Sequence, residues 1–153
     1  MFRILCVCFY YYYTLTRSLL SFTFYYDVLH SCPSASLDYI VEPWFLGGGA
    51  SGPGGSEFAE WATDTTSEYG TVFTTSLTTL PRPPERPRLA LISGRTADNP
   101  SLFTQCIAAE CSTIFLEKPG APTVKELQRM KDEALAAGVS VLMGYNKVRQ
   151  DYF

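Results

Sequence analysis

The clearest pattern in the chain is a short apolar run, Thr113, Ile114, Phe115 and Leu116, that stops abruptly on Glu117, Lys118 and Pro119. Branched and aromatic residues without alternation read as a strand buried on both faces. Behind it, Thr123 and Glu126 have the spacing of a capping box, in which a threonine hydroxyl accepts from the N–H three residues on. Val124, Leu127, Met130, Ala134 and Leu135 then recur at helical spacing, which predicts a helix with those residues on its inner face. Gly138 stands where a left-handed cap would end that helix. Residues 139–143 read as the next buried strand, running into Gly144, Tyr145, Asn146 and Lys147.

The same alternation extends upstream. Residues 37–41 read as a strand with Glu42 at its carboxyl end, and Ser56 is placed to cap a helix with Glu57 in its first turn and Phe58, Trp61 and Ala62 turned inward. Residues 71–75 are β-branched enough for a further strand. Residues 81–87, with four prolines, form a stiff hydrophilic connection whose arginines read as solvated. Residues 89–92 are a strand ending in Ser93, Gly94 and Arg95, after which Asn99 is expected to cap a helix with Pro100 at its first position and Leu102, Phe103, Cys106 and Ile107 as its buried stripe. Strands alternating with helices specify an α/β fold, a parallel sheet with helices on both faces joined by right-handed crossovers. Ligands of such sheets bind beyond the carboxyl ends of the strands, so the Glu117–Lys118 pair stands where chemistry belongs. The plain alternative is a solvated pair after a strand. The glycine-rich residues 47–55 could cradle a phosphate with backbone N–H groups. They lack a lysine–serine ending, match GxGxxG only loosely, and are followed by a strand that ends in no acid, so a connecting loop is the better reading.

Composition narrows the function. A chain of 153 residues, 46% hydrophobic, is long enough for one domain with a substantial core. A net charge of −3 without a basic cluster argues against nucleic acid. Five cysteines without a CxxC, and a single histidine, His30, give no zinc pattern and no metal site. Cys106 and Cys111 read as small packing residues of a protein in a reducing compartment. Residues 1–36 are rich in Tyr, Phe and Leu, but the apolar run dissolves into tyrosines without a nearby cleavage site, and Arg17 interrupts any membrane span. They read as a divergent or poorly ordered N-terminal segment of a cytoplasmic protein, with a signal or anchor as the alternative.

The Glu117-Lys118-Pro119 tripeptide at a strand end, followed by Pro122-Thr123-Val124, the helix and the stretch from Gly138 to Asn146, resembles the Gfo/Idh/MocA oxidoreductases, which include glucose–fructose oxidoreductase and inositol dehydrogenase. The resemblance is good over residues 89–147 and extends more loosely back to Leu37. It implies a partial Rossmann-like dinucleotide-binding domain over residues 37–148, preceded by the divergent segment 1–36 and followed by a stub, 149–153. It further implies NAD or NADP as cofactor and a small-molecule alcohol, such as a sugar or polyol, as substrate. By the same resemblance Lys118 is the catalytic residue, reaching both the nicotinamide end of the cofactor and the substrate hydroxyl. Glu117 and Pro119 shape that pocket, and the proline is often cis in relatives. Ser93, Gly94 and Arg95 border the cofactor, and Tyr145 and Asn146 line the substrate side. Glu42 is the implied acceptor of the adenosine ribose hydroxyls, which favours NAD because a 2′-phosphate would be repelled; a surface carboxylate before a turn is the alternative. Two departures stand out. The family's first strand and its GxGxxG turn have no counterpart in residues 1–36, and the substrate domain has none after Lys147. The expectation is therefore an incomplete piece of an NAD(P)-dependent oxidoreductase, or else a non-catalytic remnant of one.

Overall fold

The computed structural model describes residues 2–7, 31–82 and 87–144, the first of these as backbone. The elements are β1 (Phe2–Val7), β2 (Ala35–Val41), α1 (Gly55–Tyr69), β3 (Val72–Thr74), a 3₁₀ turn (Leu77–Thr79), β4 (Arg88–Ile92), α2 (Asn99–Ala108), β5 (Cys111–Glu117), α3 (Val124–Ala137) and β6 (Ser140–Gly144). The six strands form one sheet in the order β3-β2-β1-β4-β5-β6, and every neighbouring pair is parallel. This is the doubly wound Rossmann order, in which the direction of winding reverses between β1 and β4 and opens a crevice at that point.

The sheet corrects the reading of the amino terminus. Residues 1–36 offer an extra strand only as one alternative and no match to the family's first strand, yet Phe2–Val7 forms the strand between β2 and β4, and β2 itself starts at Ala35. A central parallel strand is apolar throughout rather than alternating, and residues 4–7 are such a run, which near a chain start resembles the core of a targeting segment. Arg3 pairs in register with Ser36 and Arg88, at the amino edge of the sheet. The remainder of the proposed N-terminal segment up to His30 lies outside the described residues.

The two sides of the sheet hold separate cores. Val41, Ala90, Ile92, Ile114 and Leu116 pack with Leu102, Phe103 and Cys106 of α2 and Met130 and Ala134 of α3. Ile40, Leu91 and Leu37 form the opposite cluster, against which Phe115 and Trp61 of α1 pack. Strand alternation would put Leu37 and Ile40 on opposite faces. They share one because the register skips Asp38, Ile4 pairing with Leu37 and Leu5 with Tyr39, and a bulge of one residue inverts the alternation. A second bulge skips Ser112 in β5, so Cys111 and Ile114 also share a face. Cys106 and Cys111 are both free and buried, as their packing role requires, and their mutual hydrogen bond together with burial raises the Cys106 thiol well above its ordinary range.

Local signals met mixed outcomes. Thr123 does cap α3, its hydroxyl accepting from the Glu126 N–H at 3.2 Å, and Gly138 ends the helix at φ 67°. By contrast, Val124 and Leu135 are 82% and 70% exposed, leaving Met130 and Ala134 as the fully buried residues of that helix. Ser56 does not cap α1, whose N-cap is Gly54; the serine hydroxyl donates to Glu57 instead. Asn99 is the first residue of α2 rather than its cap, a position held by Asp98, whose carboxylate instead pairs with the Arg95 guanidinium at 3.1 Å.

Candidate functional site

The carboxyl ends of β2, β1, β4 and β5 converge on the switch point, and the described chemistry-bearing residues there are Glu42, Ser93, Gly94, Arg95, Glu117 and Lys118. Glu42 and Glu117 end strands separated by β1 and β4. Three interstrand spacings place them roughly 14 Å apart across the crevice.

At β5 the chain leaves the sheet through a tight turn. The Gly120 N–H donates to the Glu117 carbonyl at 3.1 Å, the Lys118–Pro119 peptide is cis, and Gly120 has φ 86°. A cis proline at the third position of such a turn folds the chain back on itself, leaving Lys118 and Pro119 exposed at the tip. The Glu117 carboxylate accepts from the Lys118 N–H at 3.2 Å and leans over Gly144, its partner in β6. A Cβ on Gly144 would stand 2.8 Å from Oε1 and 3.0 Å from Cδ, so the acid occupies space that only glycine leaves open. Ser93 and Gly94 are half-buried beyond β4, and Arg95 is exposed but tied to Asp98. After them in the chain, Asn99 is buried, and among the described residues its Oδ1 has no hydrogen-bond partner. Tyr145 and Asn146 lie outside the described residues.

At β2 the arrangement differs. Glu42 is buried, 2% exposed, and its Oε1 accepts from the N–H groups of Trp44 at 2.9 Å and Phe45 at 3.3 Å. The glycine-rich stretch that follows is a chain of turns. The N–H groups of Gly47, Gly49, Ala50, Gly52 and Gly55 all donate to backbone carbonyls within the loop, so those donors are not turned toward a phosphate. The connecting-loop reading accounts for the sequence, and its glycines serve packing. A Cβ on Gly49 would come within 2.2 Å of the Trp44 indole nitrogen. Trp44 was not singled out from sequence. Its signal is an aromatic residue two places after the acid that ends a strand.

A dinucleotide in this crevice needs partners at its two ends and in the middle. At one end of the crevice stand the exposed Lys118 and the half-exposed Glu117, with Ser93 and Gly94 beside them. At the other stands Glu42, one oxygen of which holds a turn. The pyrophosphate turn that follows the first strand in this fold is glycine-rich, whereas here Val7 is followed by Cys8, Phe9 and four tyrosines, and the first glycine of the chain is Gly47.

Comparison with known proteins agrees with this geometry. The family model for the Gfo/Idh/MocA oxidoreductase family, NAD-binding Rossmann fold, matches residues 55–145. No curated protein matches. Among solved structures, a probable dehydrogenase from Thermotoga maritima superposes with a TM-score of 0.63 at 19% identity, covering 93% of this chain and 35% of that one. Biliverdin reductase from Synechocystis sp. PCC 6803, solved with biliverdin and NADP+, gives 0.62 at 15% identity, with 92% and 37% covered. An NAD-binding oxidoreductase from Klebsiella pneumoniae gives 0.60 at 15% identity, with 94% and 35% covered. The chain thus spans about a third of the length of these structures. None of the described helices is long and apolar enough to cross a membrane.

Proposed function

This chain belongs to the Gfo/Idh/MocA oxidoreductase family, and from that premise we propose that it is the dinucleotide-binding part of an NAD(P)-dependent oxidoreductase acting on a sugar, polyol or related alcohol. The observation that carries the reading is the turn from Glu117 to Gly120, which holds an exposed lysine at the carboxyl end of a strand next to the switch point. A bound nicotinamide supplies the hydride acceptor. Lys118 offers a point charge with three movable donors, able to polarise an alcohol oxygen and to take part in moving its proton. Glu117 holds the side of that pocket and Pro119 its turn, with Ser93, Gly94 and Arg95 along the cofactor and Tyr145 and Asn146 on the substrate side.

At the other end, a ribose hydroxyl reaches Glu42 by displacing the N–H groups of Trp44 and Phe45. A carboxylate here repels a 2′-phosphate and favours NAD over NADP. The missing glycine turn weakens the centre of the site. Each hydrogen bond to a charged group contributes about 1.5–3 kcal/mol, so two lost donors to the pyrophosphate reduce affinity by roughly a hundredfold or more. The same observation favours a second reading, a family member that has lost turnover.

Titration of the 153-residue chain with NADH, followed by energy transfer from tryptophan, separates the two readings. The oxidoreductase reading expects weak binding, on the order of 0.1 mM, that Glu42→Gln reduces further. It also expects any dehydrogenation of a polyol to disappear in Lys118→Ala with little change in binding. Absence of NADH binding at millimolar concentration would overturn this reading in favour of the remnant.

A further inference from the structure

The reading above leaves one conspicuous side chain without a role. Trp44 is 47% exposed at the carboxyl end of β2, and among the described residues its ring stacks on no other ring. A single half-exposed indole is ordinary on a protein surface, but the turn that carries this one is held in place from several directions. The backbone N–H of Trp44 donates to Glu42 Oε1 at 2.9 Å, and its backbone carbonyl accepts from the N–H groups of Gly47 at 3.0 Å and Gly49 at 2.8 Å. One side of the ring lies against Gly49, where any side chain would clash. The next residue, Phe45, is buried and stacks on Phe58 of α1 with ring centroids 4.9 Å apart, which anchors the turn in the core. A fixed aromatic surface two residues beyond the strand-end acid lies on the adenosine side of the crevice.

We infer that Trp44 is a stacking platform for the adenine ring of the dinucleotide, and that buried Glu42 is as much a positioning residue for this platform as a ribose acceptor. The inference rests on the dinucleotide reading and deepens it. Purine–aromatic stacking tolerates any base orientation and needs no hydrogen-bond donors, so it offsets part of what the missing glycine turn removes. It also shifts the binding contribution from the pyrophosphate toward the adenosine end.

The test uses the full chain with NADH, AMP and nicotinamide mononucleotide as probes, and two variants, Trp44→Leu and Trp61→Phe. Trp44→Leu keeps apolar bulk at the turn, and a thermal melt confirms that it folds. In Trp61→Phe, Trp44 is the only tryptophan, and its emission should be quenched by AMP. Trp44→Leu should weaken NADH and AMP by roughly tenfold, the scale of base–aromatic stacking, and leave nicotinamide mononucleotide unchanged. Equal NADH affinity in wild type and Trp44→Leu would overturn the inference while the dinucleotide reading stands. Loss of AMP and mononucleotide affinity together would mean that the substitution disturbs the crevice generally, which also counts against a platform. Failure of the wild-type chain to bind any of the three probes would remove both.

Discussion

Replacing Gly120 and Gly138 by alanine separates two costs that glycine avoids. Both residues have left-handed backbones, at φ 86° and 67°. At Gly138 a Cβ meets nothing within 4 Å, so Gly138→Ala carries only the backbone cost, about 1–2 kcal/mol for an L-residue in that region. At Gly120 the same Cβ would stand 2.9 Å from Met143 Cε, 3.0 Å from Leu127 Cδ2 and 3.4 Å from Leu116 Cδ2. Met143 and Leu127 are half-buried and their tips can swing aside, but Leu116 is 2% exposed in the core and cannot retreat far. Overpacking of this kind adds about 1–3 kcal/mol, for a total of roughly 2–5 kcal/mol on summing the two costs. Urea unfolding followed by circular dichroism gives both values from the same fit. Gly120→Ala should lose at least 1 kcal/mol more than Gly138→Ala, on that overpacking scale of roughly 1–3 kcal/mol. Equal losses would show that the side chains around the Glu117–Gly120 turn give way freely, and that the turn is not held by close packing.

Three further outcomes follow from the same contacts. Thr123→Ala removes the cap of α3 and should cost about 1 kcal/mol by the same unfolding assay. Met130→Ala should cost roughly 2–5 kcal/mol, whereas Leu135→Gln, on the exposed side, should stay within about 0.5 kcal/mol of wild type. Glu57, exposed in the first turn of α1, has its carboxyl lowered below the usual value by the backbone N–H it accepts and by Ser56. A depressed folded-state pKa contributes stability above the unfolded value of about 4.5, lost as pH falls through the folded value. The stability difference between wild type and Glu57→Gln should therefore shrink as unfolding is measured from pH 6 down to pH 3.

The strands β2, β4, β5 and β6 were legible because each is a short apolar run, and they lie where the pattern put them, but β6 is not the buried strand its composition implied: it ends the sheet, with Leu142 55% exposed. The inner face of α3 was legible only in its middle. At 3.6 residues per turn, Leu135 lies about 140° and Val124 about 120° from Met130 around the helix, so neither shares its stripe. A window that counts apolar residues at three- and four-residue intervals admits Val124, three places before Leu127, whereas Leu135 enters only as the neighbour of Ala134 and stands five places from Met130. The failed caps have a different cause. Ser56 found a charged neighbour, Glu57, that competes with the backbone for its hydroxyl, and Asn99 stands one residue inside its helix, behind Asp98, whose carboxylate is itself taken by Arg95; local propensity does not rank such rivals. Strand β1 was missed because its identity depends on partners 33–34 and 85 residues away, which pair with it on both sides.

The two acids at strand ends show how one proline sets the fate of a carboxylate. Both follow an apolar strand, and sequence alone ranks them alike. After Glu42 the proline is immediate. Pro43 has no N–H to give, so the carboxylate is met by the next two donors, Trp44 and Phe45, as the chain curls over it. Phe45 is drawn into the core by Phe58 and the acid is buried with it. After Glu117 the proline comes one residue later. Pro119 again gives nothing, the Gly120 N–H is taken by the Glu117 carbonyl, and the Lys118 N–H reaches the carboxylate at 3.2 Å. That acid therefore stays half-exposed, propped on Gly144 beside Lys118. Moving a proline by one position thus turns the same strand-end carboxylate from a buried clasp on its own turn into a half-exposed group beside an exposed lysine.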